Sequence, residues 1–106
     1  MVKFKSKQNR KLMMDLENKG ISFHYITTHG VYRVGRSWAS IHALLMKLNT
    51  CRTYSYSAMD HSLSIWMQDQ ELCLRFRARG RVDECKFSPA ETARIMDFLW
   101  RAPNLN

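Results

Sequence analysis

The feature that most restricts the fold is an alternation of apolar and polar side chains on either side of Asp69-Gln70. The apolar positions are Leu63, Ile65, Met67, Leu72, Leu74 and Phe76. A two-residue turn at Asp69-Gln70 pairs Ile65 with Leu74 and places all six side chains on one face, because strand side chains alternate with a period of two. The pattern predicts two adjacent antiparallel strands.

A third strand is expected after Gly80-Arg81, which fits a type II′ turn because glycine is favoured at the first position of that turn. This register places Arg77 opposite Glu84 and Arg75 opposite Lys86. The sequence therefore predicts an antiparallel meander over residues 62–87.

The N-terminal segment has the apolar spacing of an amphipathic helix over residues 6–19. Leu12 and Leu16 are four residues apart, and Gly20 follows as a C-terminal stop. Most of the nearby cations fall on the opposite side of this helix, so we expect a basic N-terminal helix.

Two further helices are predicted from their caps and spacing. Ser37 is an N-cap for a helix over residues 38–48, whose few polar positions predict the most buried helix of the fold. The capping box at residues 88–91, with proline at the first helical position, begins a helix over residues 89–101.

The remaining segments complete a small α+β domain. Residues 21–34 are predicted as a hairpin around His29-Gly30, and residues 49–61 as a connector that holds a short strand near Arg52–Tyr56. The predicted order is α-β-β-α-(β)-β-β-β-α, with an antiparallel sheet packed against helices on one face. A length of 106 residues with 45% hydrophobic composition indicates one domain, residues 1–106.

The charge is strongly basic, because 17 Lys and Arg against 9 Asp and Glu give a formal net charge of +8. Arg75, Arg77 and Arg79 occupy alternate positions of one predicted strand and therefore point to the same, solvent-facing side. Lys86 and Trp66 are expected beside them on neighbouring strands. Guanidinium groups bind phosphates and an exposed indole stacks on bases, so these five residues are predicted to bind nucleic acid.

A second basic group is predicted on the N-terminal helix. Lys3, Lys7, Arg10 and Lys11 form a stripe on its polar side. Electrostatic capture of nucleic acid requires only a dense positive surface, so the stripe is a candidate for additional phosphate contacts.

Motifs for metal binding and catalysis are missing from the sequence. The four histidines and three cysteines lack metal-ligand spacing, and no glycine-rich phosphate loop occurs. Asp60-His61-Ser62 are adjacent, and adjacent residues of an extended segment point in opposite directions, so we expect a polar turn. We expect no metal, no cofactor and no enzymatic activity, with a ribonuclease-like reaction as the least favoured alternative.

The expected environment is a reducing cytoplasm without membrane contact. Cys51, Cys73 and Cys85 are odd in number and contain no C-x-x-C pair, so three free thiols are predicted. No segment has the apolar length of a membrane span.

Two functions of different class follow from these residues. The first is a small non-enzymatic nucleic-acid-binding protein. The second is a protein-interaction module that regulates or inhibits a larger enzyme, of the kind that phages and other mobile elements encode. The apolar surface of the last helix, with Phe98 and Trp100, is its predicted partner interface, and a homodimer would also cover it. The basic surface would equally suit an acidic protein partner.

Overall fold

The computed structural model describes residues 1–105, so Asn106, the last residue of the predicted domain, lies outside the described residues. The elements in chain order are β1 (Val2–Lys5), β2 (Lys11–Glu17), β3 (Gly20–Thr27), β4 (Gly30–Ser37), α1 (Trp38–Asn49), β5 (Tyr54–Ser57), β6 (His61–Gln68), β7 (Glu71–Ala78), β8 (Arg81–Lys86) and α2 (Pro89–Leu105).

The strands form two antiparallel sheets, each with its strands in chain order and each followed by a helix. Sheet A contains β1–β4, and sheet B contains β5–β8. The buried apolar side chains of both sheets and both helices join in one core. The α+β class is confirmed. The arrangement of four strands followed by one helix occurs twice along the chain.

The predicted helix over residues 6–19 is wrong, because this segment contains a turn and strand β2. Leu12 and Met14 are buried and alternate with less buried neighbours, which is the period of a strand. A spacing of four residues between Leu12 and Leu16 fits a strand as well as a helix, since four is a multiple of two. Pairing decides between them: Leu12 lies opposite Phe4 of β1 and opposite Tyr25 of β3.

The hairpin predicted over residues 21–34 is present as β3 and β4, but its turn is Thr28-His29. Thr27 fixes this turn, because its hydroxyl accepts a hydrogen bond from the amide of His29 at 3.0 Å and donates one to the carbonyl of Gly30 at 3.2 Å. The register is therefore two residues from the predicted one. A shift of two keeps each side chain on its predicted face.

The pairing of β6 with β7 is the predicted one, with Ile65 opposite Leu74. The next turn is Arg79-Gly80 and not Gly80-Arg81, with φ values of 53° and 74° at its two residues. Positive φ at both positions is the geometry of a type I′ turn, which fits the right-handed twist of the strands. This turn places Arg79 outside β7. It also shifts the pairing of β8 with β7 by two residues from the predicted register.

The two helices begin where predicted. The Ser37 hydroxyl accepts a hydrogen bond from the Ser40 amide and caps α1. This helix is less buried than predicted, since Ala39, Ala43 and Met46 are exposed. The end of α2 is Leu105 rather than residue 101. The short strand expected near residues 52–56 is present as β5 over Tyr54–Ser57.

A polar cluster joins the two sheets at Asp83 of β8. Its carboxylate accepts hydrogen bonds from Arg10 Nε at 3.0 Å and Nη2 at 3.1 Å, and from the Tyr25 hydroxyl at 2.7 Å. Burial opposes ionisation of Asp83, but the hydrogen bonds from Arg10 and Tyr25 outweigh it and lower the pKa of the carboxyl group. Arg10 is thus a structural ion-pair partner.

Candidate nucleic-acid interface

The outer face of sheet B holds two members of the predicted arginine row. Arg75 and Arg77 share this face, on either side of Phe76, which points into the core. Arg79 lies in the turn after β7 and does not continue the row. The prediction of three aligned arginines is therefore corrected to two.

Arg75 is already engaged by neighbouring side chains. The corrected register places it opposite Glu84, with which it forms an ion pair, and not opposite Lys86. Its guanidinium also lies over the ring of Trp66, 5.3 Å from the centroid. The indole is on the predicted face, but the arginine occupies the place of a stacked base on one side of it.

Lys86 belongs to the next cross-strand row of the same face. It lies opposite Cys73, which in turn lies opposite Trp66. Cys73 lies on the outer face, yet it is almost fully buried, and this burial raises the pKa of its thiol. Arg77 and Lys86 form no ion pair within residues 1–105, so they remain available on this face.

The predicted N-terminal stripe is divided by the strand structure. Lys7 pairs with Glu71 at 2.8 Å, and Arg10 is bound to Asp83. Lys3 and Lys11 instead lie on the outer face of sheet A. The stripe as a single surface is therefore wrong, because it required the helical period.

The outer face of sheet A carries four cations that we call the lysine face: Lys3, Lys5, Lys11 and Arg33. Two adjacent cross-strand rows hold them, which are Lys3, Met13, His24 and Arg33, and then Lys5, Lys11, Ile26 and Val31. The rows are about 6.8 Å apart and neighbouring strands about 4.8 Å apart. In the described part of the chain none of the four cations has an ion-pair partner.

The sequence interpretation missed Lys5 and Arg33 on this surface. The alternation of Lys3 and Lys5 around the buried Phe4 is the signal that could have found the first, since it predicts a strand. Arg33 required the pairing of β4 with β3, which brings it opposite His24.

The middle of the lysine face is occupied by a buried histidine. His24 is buried at the centre of its row, and its Nε2 atom lies 3.3 Å from the Ser22 hydroxyl in a hydrogen bond. The acidic residues Asp15 and Glu17 lie on the same face, beyond Met13 along β2. Positive charge is therefore concentrated at the end of the sheet that includes Lys11.

The residues predicted as a partner interface have different environments. Phe98 packs edge-to-face on Phe4, with 6.3 Å between ring centroids, and so belongs to the packing between α2 and β1. Trp100 on the same helix is 50% exposed. Of these two residues, Trp100 is the one that presents a large aromatic surface to a partner.

The structure also shows how Asp60 and His61 are arranged. The carboxylate of Asp60 accepts a hydrogen bond from His61 Nδ1 at 2.7 Å, so the two side chains do meet. His61 Nε2, which a catalytic dyad would direct at a nucleophile, is buried and lacks a hydrogen-bond partner among the described residues. Within residues 1–105 no side chain therefore contacts His61 Nε2 in the position of a triad nucleophile.

Residues 1–105 bring together no group of three or more potential ligands from His, Cys, Asp and Glu. No helix in the same range has the length and hydropathy required to cross a membrane.

Comparisons with family models, with curated proteins and with solved structures found no match to this chain.

Proposed function

We propose that the protein is a non-enzymatic nucleic-acid-binding protein and that the lysine face is its principal contact surface. The observation that carries the proposal is the group of four cations in adjacent rows of one sheet, without ion-pair partners in the range 1–105. Cations held in this way displace the counterions that surround phosphates, which is the main source of sequence-independent affinity.

The composition of the lysine face favours contacts to the nucleic-acid backbone. Its two cation rows contain aliphatic side chains and His24, and no Phe, Tyr or Trp. Phosphate contacts position a strand but carry no sequence information. We therefore expect binding that depends strongly on salt and only weakly on base sequence.

The outer face of sheet B supports a smaller contribution. Arg77 and Lys86 are exposed there, whereas Arg75 is offset by Glu84. Arg79 is exposed in its turn. We propose these residues, with Trp66, as secondary contacts.

The test is a comparison of two variants of equal charge. The lysine-face variant replaces Lys3, Lys5, Lys11 and Arg33 with glutamine. The control variant replaces four exposed cations elsewhere, Lys19, Lys47, Arg52 and Arg101, with glutamine. Fluorescence anisotropy with a labelled oligonucleotide at about 50 mM salt should show strong loss of affinity only in the lysine-face variant. Equal losses would show that net charge alone determines binding, and absence of wild-type binding would refute the function.

The second candidate function is binding of a protein partner through α2. The observation that favours it is the half-exposed indole of Trp100, because tryptophan is frequent among residues that dominate interface energetics. Sedimentation of the purified protein would show a dimer that Trp100→Ala dissociates. A monomer at all concentrations, unchanged by Trp100→Ala, would contradict self-association.

A further inference from the structure

The β1–β2 connection, the β3–β4 turn and the start of β8 border an open cleft of about 400 Å³. The turn between β3 and β4 provides Thr28 and His29, and the start of β8 provides Arg81. We call this space the turn cleft. Its volume is within the range of roughly 300–1,000 Å³ that is usual for small-molecule sites. A second opening of about 200 Å³ adjoins it and shares the walls His29, Tyr32 and Ala78.

The inner wall of the turn cleft is aromatic. Tyr32 lines it, and the ring of Phe76 packs against Tyr32 with 4.5 Å between centroids. Tyr25 supports Phe76 from within the core at 5.8 Å. Because Phe76 is buried, the Tyr32 ring is held in place before any ligand arrives. A ring held in this way loses little conformational freedom when a planar group stacks on it.

The rim of the cleft carries positive charge and hydrogen-bond donors. Arg81 and His29 are exposed at the rim, and Arg81 has no carboxylate partner in the part of the chain that the structure describes. Among the described residues that line the cleft, the acid is Asp83, whose charge is matched by the bidentate contact with Arg10. The charge of Arg81 therefore remains available to an anion.

The hydroxyl groups of the turn have distinct roles. That of Thr27 is used within the turn, where it contacts the amide of His29 and the carbonyl of Gly30. Thr28 is exposed on the cleft side and can donate its hydroxyl to a ligand. Guanidinium, imidazole and hydroxyl donors at one rim form a set that suits the oxygens of a phosphate.

We propose that the turn cleft binds a nucleoside monophosphate, with the base on Tyr32 and the phosphate at Arg81, His29 and Thr28. An aromatic wall with a cationic rim matches a planar ring that carries a dianion. An anion without an aromatic ring would make no contact with Tyr32. This site is separate from the lysine face and does not depend on it.

The test uses three probes on the full chain: AMP, adenosine and inorganic phosphate. Isothermal titration should give the tightest binding with AMP, and backbone amide resonances of residues 28–32 and 78–83 should shift. The proposal is overturned if adenosine or phosphate binds as tightly as AMP, or if the shifts occur away from these residues.

Substitutions then separate the rim from general charge. Arg81→Gln should weaken AMP binding about tenfold or more, the loss expected for a charge-assisted hydrogen bond. The control Arg52→Gln removes an exposed arginine outside the turn cleft and should leave AMP binding unchanged. His29→Gln removes a second group at the rim and should also weaken AMP binding. Equal affinity of Arg81→Gln and wild type would refute the assignment of the phosphate.

A free nucleotide and the 5′ end of a strand present the same chemical group. A 5′-phosphorylated oligonucleotide added to the AMP complex distinguishes them, and the lysine-face variant removes binding elsewhere. If the oligonucleotide displaces AMP, the turn cleft also binds the 5′ end of a strand. If AMP stays bound, the ligand of the cleft is the free nucleotide.

Discussion

Asp83 is expected to be the most sensitive polar position of the fold, because it joins strand β8 to two parts of sheet A. Asp83→Ala removes the shared acceptor of the Arg10 guanidinium and the Tyr25 hydroxyl. Hydrogen bonds to charged groups contribute about 1.5–3 kcal/mol each, and partial exposure reduces this. We expect a decrease of about 2–3 kcal/mol in the free energy of unfolding, or roughly 10–20 °C in Tm for a domain of this size.

Urea unfolding followed by tryptophan fluorescence and circular dichroism measures this decrease. The matched control is Glu84→Ala, the adjacent residue, whose ion pair with Arg75 is exposed and should contribute only about 0–1 kcal/mol. Equal destabilisation by the two substitutions would show that the hydrogen bonds of Asp83 do not stabilise the contact between the sheets.

The pH dependence of the same position has a defined sign. The pKa of Asp83 is lowered in the folded state, so its ionised form stabilises the fold above the ordinary carboxyl pKa of about 4. This stabilisation is lost as the pH falls through the lowered value. The difference in unfolding free energy between wild type and Asp83→Asn should therefore be largest near neutral pH and shrink in acid. A difference independent of pH would contradict the role of the charge.

Two further predictions concern packing and thiol chemistry. Gly20→Ala would place its Cβ atom 1.8 Å from the carbonyl oxygen of Arg36, so we expect destabilisation by about 3 kcal/mol or more in urea unfolding, whereas Gly35→Ala, with nothing within 4 Å, should have little effect. Cys51 is exposed and should react with a thiol reagent in the native protein, whereas the buried Cys73 and Cys85 should react only on unfolding; rapid reaction of all three thiols would contradict the packing.

The sequence predicts the second half of the fold well because its signals agree with one another. The alternation around Asp69-Gln70 can be satisfied by one register only, and that register is present. The capping serine before α1 is equally local and equally correct. The turn between β7 and β8 lies one residue before the predicted position, at Arg79-Gly80. The choice of type I′ over type II′ depends on strand twist and not on the glycine alone.

The first half could not be predicted in the same way because its decisive contacts are between distant residues. The spacing of Leu12 and Leu16 satisfies helix and strand alike, and only the pairing of β2 with β1 and β3 selects the strand. The lysine face depends on that pairing, so half of its cations were missed. Arg75 and Arg77 were predicted on the correct face but with the wrong cross-strand neighbours. The position of the β7–β8 turn sets the register, and this register pairs Arg75 with Glu84.

The salt dependence of nucleic-acid affinity tests the central claim most directly. Every cation that no longer neutralises a phosphate of a single strand lowers the slope of log affinity against log salt by about 0.7, so removal of all four cations of the lysine face should flatten it by about 3. The variant that replaces Arg75, Arg77 and Arg79 with glutamine should flatten it by less. An unchanged slope in the lysine-face variant, or a larger change in the arginine variant, would contradict the assignment of the principal contact surface to sheet A.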